Sequence, residues 1–272
     1  MSKPRTHFFW LAFLWLVLLV VSPISGLLHA QHVDARQIVQ RVYEQAAFRS
    51  LEMRASLMIY DRQGNSMKKE FLYRCIHTTL GSKTRVDMIA PAEEKGVVLL
   101  AIQQQGLPAN QYVYTPATDR VRSLGTQDRT GRFLGSDFIF DDFADRNPGD
   151  FTYSLISDSE KIDGQETYKI ESRPVERGSS PYAYVYLWVA KNAPVIVYAQ
   201  MYNAPGILTR VLHATDLRRE SGVWGMRRTE VSTAVEHTRT VLTVQNVKLN
   251  PSLDDAVFSS QSLGSATPVD KK

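Results

Sequence analysis

Between Leu51 and Leu249 apolar and polar residues alternate with a period of two, stretch after stretch, and that rhythm commits the chain to antiparallel β-structure. Leu51, Met53, Ala55, Leu57 and Ile59 fall on one side of the first stretch, with Glu52, Arg54 and Ser56 on the other. Asp61-Arg62-Gln63-Gly64-Asn65 supplies a turn, and Phe71, Tyr73 and Cys75 continue on a facing strand. Val86 and Met88 mark a third. Pro91 to Gly96 breaks the chain before the buried run Val97-Val98-Leu99-Leu100-Ala101-Ile102. Tyr112-Val113-Tyr114 and Val121 to Leu124 flank the turn Thr115-Pro116-Ala117-Thr118-Asp119. The second half repeats the style, with strands expected over 151–156, 167–172, 182–190, 195–202, 209–217, 226–233 and 238–249. Asp163-Gly164, Lys191-Asn192-Ala193-Pro194, Ala204-Pro205-Gly206 and Glu220-Ser221-Gly222 punctuate them. Such spacing implies one extended antiparallel sheet, curled into a barrel or half-barrel, in a mainly β (α+β) chain. The exception comes first: Asp34 can cap a helix whose Ile38, Val39, Val42 and Tyr43 recur at helical spacing before Ala46 and Ala47.

One strand breaks the alternation. Tyr182, Tyr184, Tyr186 and Trp188 lie on one of its faces, and Ala183, Val185, Leu187 and Val189 on the other. Both faces are therefore covered. It is either a central strand under a packed helix or a strand lining an apolar cavity.

Reactive constellations are missing. The chain has no G-x-S-x-G elbow, H-E-x-x-H, P-loop or G-x-G-x-x-G behind a strand. His32, His77, His213 and His237 have no metal-ligand spacing. The dense polar cluster is Gly135-Ser136-Asp137 followed by Asp141-Asp142, and two carboxylates so spaced can in principle divide acid and base roles. They are interleaved with Phe133, Leu134, Phe138, Ile139, Phe140 and Phe143, however, so the cluster reads as a structural plug in which Asp137 caps a short helix. No catalytic residue, metal or cofactor is expected.

The N-terminus has the three parts of a secretory signal. Lys3 and Arg5 precede the apolar run Phe8 to Val21, and Ser25, Gly26 and Ala30 offer small residues for cleavage. A cut after Ala30 is expected; an uncleaved anchor is the rival, which the short run and Pro23 with Gly26 disfavour. No Cys lies near the cut to take a lipid. Residues 1–30 are thus read as signal, 31–263 as one domain and 264–272 as a disordered tail. Cys75, the lone cysteine, sits in a strand pattern and reads as a buried thiol. The formal charge of +4 is interspersed along the chain, without a basic block, so no nucleic-acid partner is implied.

The segment Arg132-Phe133-Leu134-Gly135-Ser136-Asp137-Phe138-Ile139-Phe140-Asp141-Asp142-Phe143 resembles the "FLGSDFSYEDL" signature of the LolA-like outer-membrane lipoprotein-sorting proteins. Tyr112-Val113-Tyr114-Thr115-Pro116 with Val121-Arg122-Ser123-Leu124 is similar to that family's "W-x-Y-x-P … R-V-R-R-I". Pro91 with Lys95-Gly96 resembles its "P-x-x-x-K-G", and Asp254-Asp255-Ala256-Val257-Phe258 its closing acidic-plus-Phe motif. Tyr112 replaces the common Trp, and Ile139-Phe140-Asp141 replaces Ser-Tyr-Glu, which keeps the aromatic and acidic character.

The resemblance implies an unclosed half-barrel, its open side plugged by helices around an apolar cavity, in a soluble, unlipidated, monomeric protein of the periplasm. It implies a non-enzymatic carrier of the acyl chains of a lipid or lipoprotein, moving them toward the outer membrane or to and from an inner-membrane transporter of the resistance-nodulation-division (RND) type. The alternative is a periplasmic sensor or adaptor that binds a protein partner through the same fold. Leu99, Tyr184, Tyr186 and Trp188 are the expected cavity residues. Phe133, Leu134, Gly135, Ser136, Asp137, Phe138, Phe140 and Phe143 are the expected gate, with Gly135 allowing a sharp turn and Ser136 and Asp137 anchoring it.

Overall fold

The computed structural model describes residues 34–45, 48–104 and 107–264; residues 1–33, which include the expected signal at 1–30, residues 46–47 and 105–106, and the expected tail from residue 265 lie outside the described residues. Helix α1 spans Ala35–Glu44, and the Asp34 carboxylate caps it by accepting from the Arg36 N–H at 2.9 Å. The strands follow as β1 (Ser50–Tyr60), β2 (Ser66–Thr78), β3 (Gly81–Ala90), β4 (Val98–Gln104), β5 (Asn110–Thr115) and β6 (Arg120–Leu124). After a connector come β7 (Phe151–Ile162), β8 (Gln165–Pro174), β9 (Tyr184–Ala190), β10 (Ile196–Tyr202), β11 (Leu208–Glu220), β12 (Val223–Thr233) and β13 (Thr238–Leu249). Turn chemistry is where the sequence put it. Asp61 Oδ1 accepts from the N–H groups of Gln63 and Asn65, and Asp163 and Gly164 both take left-handed φ between β7 and β8.

All these strands form one antiparallel sheet in the order β6-β5-β4-β3-β2-β1-β13-β12-β11-β10-β9-β8-β7. Two meanders are joined in the middle by β1 against β13. The edges, β6 and β7, do not pair, so the sheet stays unclosed, as the half-barrel expectation required. Because β6 and β7 are consecutive in sequence, residues 125–150 must travel from one edge of the sheet to the other. That requirement puts the plug where it is.

Pairing register sorts the side chains onto two faces. Leu99 pairs with Val86, Phe71 with Ala55, Leu57 with Leu242, and Val231 with Leu212. Leu212 leads through Ala199 to Leu187 and Ile170 on the same side. We call this the plug face. Phe133 and Phe138 of the connector pack there against Ala55, Leu57, Phe71, Val86, Met88, Leu99 and Val231. Ala35, Ile38 and Val39 of α1 pack on Ile170 and Val189 farther along it. Full burial of such aliphatic side chains contributes about 1.5–3 kcal/mol each. On the opposite face, Phe258 and Leu263 cover Val98 and Leu100, which places the closing acidic-plus-Phe motif over β4. Cys75 is buried, and burial pushes its thiol up to about 12.

Candidate functional site

The plug, residues 132–143, is built from tight turns rather than a regular helix. Phe133–Gly135 and Phe140–Phe143 are single 3-10 turns, and the one α-helical turn of the connector, α2, spans Thr126–Arg129. Leu134 (φ 49°) and Gly135 (φ 75°) are both left-handed; no neighbour crowds Gly135, so glycine is favoured there by backbone conformation alone. A left-handed leucine costs roughly 1–2 kcal/mol. The Phe133 N–H donates to the Phe138 carbonyl at 2.7 Å and the Ser136 hydroxyl donates to the Phe133 carbonyl at 2.7 Å, closing the loop on itself. The rings meet each other: Phe133 lies 4.5 Å from Phe143 and 5.6 Å from Phe140, centroid to centroid.

Polar contacts fasten this aromatic cap to the sheet, three of them through charged side chains. The first corrects the expectation for Asp137, which caps no helix. Its side chain is only 1% exposed. Oδ1 accepts from the hydroxyls of Thr233 (2.6 Å) and Thr238 (2.5 Å) and from Arg132 Nη2 (3.0 Å), and Oδ2 accepts from Thr240 (2.7 Å). The Asp137 N–H returns a bond to Thr240 Oγ1 at 2.9 Å. The β12–β13 hairpin presents these threonines in register, with Thr233 opposite Thr238 and Val231 opposite Thr240. A three-residue turn could offer the carboxylate far fewer donors.

The second contact is Lys69, buried on the plug face of β2, whose ammonium donates to the Leu134 carbonyl at 2.6 Å and pairs with Glu94. The third is Arg210 of β11. One guanidinium arm reaches Asp142 Oδ2 at 2.6 Å, and the other reaches Asp142 Oδ1 at 3.4 Å and the Tyr182 hydroxyl. Burial works against the Arg210 charge, but the Asp142 carboxylate and the Tyr182 hydroxyl outweigh it and hold its pKa above the ordinary guanidinium value. Burial raises the Tyr182 hydroxyl as well. Gln111 adds a bond from Nε2 to the Phe140 carbonyl at 3.2 Å. Around the plug, Gln111 Oε1, Glu94 Oε2 and Arg210 Nε are buried without a hydrogen-bond partner among the described residues.

The expected cavity residues are not brought together. Leu99 is in the apolar bed directly under the plug. Tyr184, Tyr186 and Trp188 alternate with Val185, Leu187 and Val189, and register carries them to the opposite face. There they form an aromatic ladder: Tyr184 stacks on Tyr202 at 4.7 Å, Trp188 meets Tyr198 edge-on at 5.1 Å, and Lys169 lies over Tyr186 and Trp188. The strand's other face lies under α1, as the packed-helix reading required. The gate residues are brought together, Phe133, Ser136, Asp137 and Phe138 buried and Leu134, Phe140 and Phe143 half-buried. An open cavity of about 790 Å³ lies elsewhere, lined by Asp163, Glu166, Lys191, Asp216, Leu217 and Trp224. Among the described residues no group of three or more His, Cys, Asp or Glu could hold a metal ion, and no helix is long and apolar enough to cross a membrane.

A family model described as that of an uncharacterized protein matches residues 81–265, more than half of the chain and all of the plug. The chain belongs to the family of this model. Solved structures share the LolA-like fold. A DUF1329 family protein from Desulfovibrio piger is 21% identical with a TM-score of 0.80, over 84% of this chain and 97% of that one. A putative outer membrane lipoprotein-sorting protein domain from Vibrio parahaemolyticus is 18% identical with a TM-score of 0.79, over 85% and 98%. A LolA superfamily protein from Nitrosomonas europaea is 21% identical with a TM-score of 0.67, over 85% and 100%. A comparison with curated proteins finds no match.

Several residues that fasten the LolA-like plug were missed in the sequence. Lys69 precedes Phe71, Tyr73 and Cys75 at period two, and Arg210 precedes Leu212 and Ala214 in the same way. A cation in phase with an apolar face is a readable signal for a buried charge. Thr233, Thr238 and Thr240 carry no such signal, because their partner is about a hundred residues away.

Proposed function

We propose that this LolA-like protein is a periplasmic carrier that shelters the acyl chains of a lipid or lipoprotein on its plug face, with residues 132–143 as the movable cover. The observation that carries this reading is the construction of the cover. A cap of phenylalanines lies on the contiguous apolar bed of Leu57, Phe71, Val86, Met88, Leu99 and Val231, yet is tethered to the sheet by Asp137, Lys69 and Arg210. Each hydrogen bond contributes only about 0.5–1.5 kcal/mol net, because water can replace it. Each buried CH2 of an acyl chain is worth about 0.8 kcal/mol. A chain of ordinary length can therefore displace the cap from its bed. The lipoprotein-sorting description of the Vibrio neighbour supports the same cargo class. Export through a cleaved signal at residues 1–30, hand-over to or from an RND-type transporter, and action as a monomer without chemistry of its own belong to this proposal.

Native mass spectrometry of the periplasmic protein tests it. A bound lipid mass is expected, together with binding of a fluorescent fatty acid that Leu99→Asp abolishes and Tyr184→Ala leaves intact. Absence of both the lipid mass and fatty-acid binding in the wild-type protein overturns it. The sensor or adaptor reading is favoured by one observation, the half-exposed rings of Tyr184, Tyr186, Tyr198 and Tyr202 on the opposite face. Co-purification of an inner-membrane protein, lost in Tyr184→Ala with Tyr202→Ala while no lipid is bound, would support it instead.

A further inference from the structure

Arg210 is 6% exposed, and its partners divide into two kinds. The Tyr182 hydroxyl belongs to the scaffold beside β9. The Asp142 carboxylate belongs to the plug and is presented by the Phe140–Phe143 turn, where its Oδ2 also accepts the Ile139 N–H at 2.9 Å. Arg146, on the same connector, stands 3.8 Å from Asp142 Oδ1. Even with the plug seated, the Arg210 Nε is buried and unpartnered among the described residues, so the guanidinium fork is incompletely filled by the carboxylate it holds. When the plug lifts, Asp142 leaves with it while Arg210 and Tyr182 stay on the sheet. A ligand that covers this face in place of the plug must then supply an anion, or bury an unpaired cation at high cost.

We propose that Arg210 and Tyr182 form a receptor for the carboxylate or phosphate headgroup of an anionic amphiphile, and that Asp142 is the plug's built-in stand-in for that headgroup. This deepens the acyl-chain reading above and rests on it. Two consequences follow from the shared site. An anionic amphiphile competes with the plug at Arg210, so its binding and plug opening are coupled. A neutral amphiphile with the same chain gains the apolar bed but forfeits the guanidinium, and binds more weakly by at least about tenfold, the ordinary worth of a charge-assisted pair.

The test uses the mature full-length protein with three probes: a fluorescent polyunsaturated fatty acid, its methyl ester and inorganic phosphate. The acid is expected to bind the wild-type protein at least about tenfold more tightly than the ester. Asp142→Asn, which keeps the turn but withdraws the competing charge and loosens one plug tether, is expected to strengthen binding of both probes, and that of the acid by more. Arg210→Gln is expected to erase the difference between acid and ester, and Arg210→Lys, which keeps the charge without the fork, to restore part of it; thermal melts of each variant check the fold. Equal affinity of acid and ester for both wild type and Asp142→Asn overturns the headgroup receptor and leaves the acyl-chain reading standing. Failure of both probes to bind either protein overturns the two together. Phosphate that binds Asp142→Asn as tightly as the acid does overturns the headgroup as the source of the anion.

Discussion

Two covers lie on the same face of this sheet, and they are held in different ways. Helix α1 is held mainly by burial, with Ala35, Ile38 and Val39 on Ile170 and Val189; its main polar tie to the sheet is the exchange between Gln45 and the Trp224 backbone, at 3.2 and 2.8 Å. The plug buries phenylalanines too, but it also engages a carboxylate with three threonines, a lysine with a carbonyl and an arginine with a carboxylate. Burial is non-directional and grows with area, so α1 has no reason to leave. Directional bonds fix the plug's position, yet their partners can be exchanged for water or ligand at small net cost. On the proposed carrier reading, the difference makes α1 the permanent cover and the plug the removable one.

The largest effect is expected at the center of the plug's attachment. Asp137→Ala leaves Thr233, Thr238, Thr240 and Arg132 without their shared acceptor and should cost about 3–5 kcal/mol in chemical denaturation. It should also expose the apolar bed, read as increased binding of a hydrophobic dye under native conditions. Ile38→Ala, beneath α1, should cost about 2–5 kcal/mol without increasing dye binding at the plug. If the two variants raise dye binding equally, the covers do not differ as described. Tyr184→Ala on the opposite face should cost about 1 kcal/mol, mostly its stacking on Tyr202, and leave fatty-acid binding unchanged.

The smallest effect belongs to Cys75, buried on β2 in phase with Phe71 and Tyr73. Its folded pKa of about 12 lies above the usual thiol value, so the thiol stays protonated and should react slowly with a disulfide reagent at pH 8 until the protein unfolds. The sign of the linkage follows. The neutral thiol adds no penalty below the unfolded pKa near 9, and stability falls as pH rises from there toward about 12. Cys75→Ala should flatten that part of the pH profile.

Much of this was legible because a period of two survives almost any tertiary context. Leu51 to Ile59, Phe71 to Cys75 and the later strands could be read residue by residue, and the Asp34 cap with Ile38 and Val39 fixed the helix. The plug was legible as a plug because its apolar residues outnumber what a catalytic loop would carry. What escaped was long-range parity. Whether Tyr184, Tyr186 and Trp188 share a face with Leu99 depends on the register of every strand between them, including bulges such as those between β1 and β13 and between β9 and β10. No local pattern encodes that. Asp137 was legible as an anchor, but its partners escaped for the same reason, since they are threonines on two strands that the sequence does not mark.

Backbone hydrogen exchange with and without a long-chain fatty acid tests the removable cover most directly. Phe133, Ser136 and Asp137 have N–H groups bonded within the plug or to Thr240, and those of α1 from Ile38 onward are bonded within the helix. On ligand binding, the bonded N–H groups of residues 132–143 are expected to lose protection while those of residues 38–44 keep theirs. Saturation with fatty acid that leaves residues 132–143 fully protected would contradict a ligand site beneath the plug.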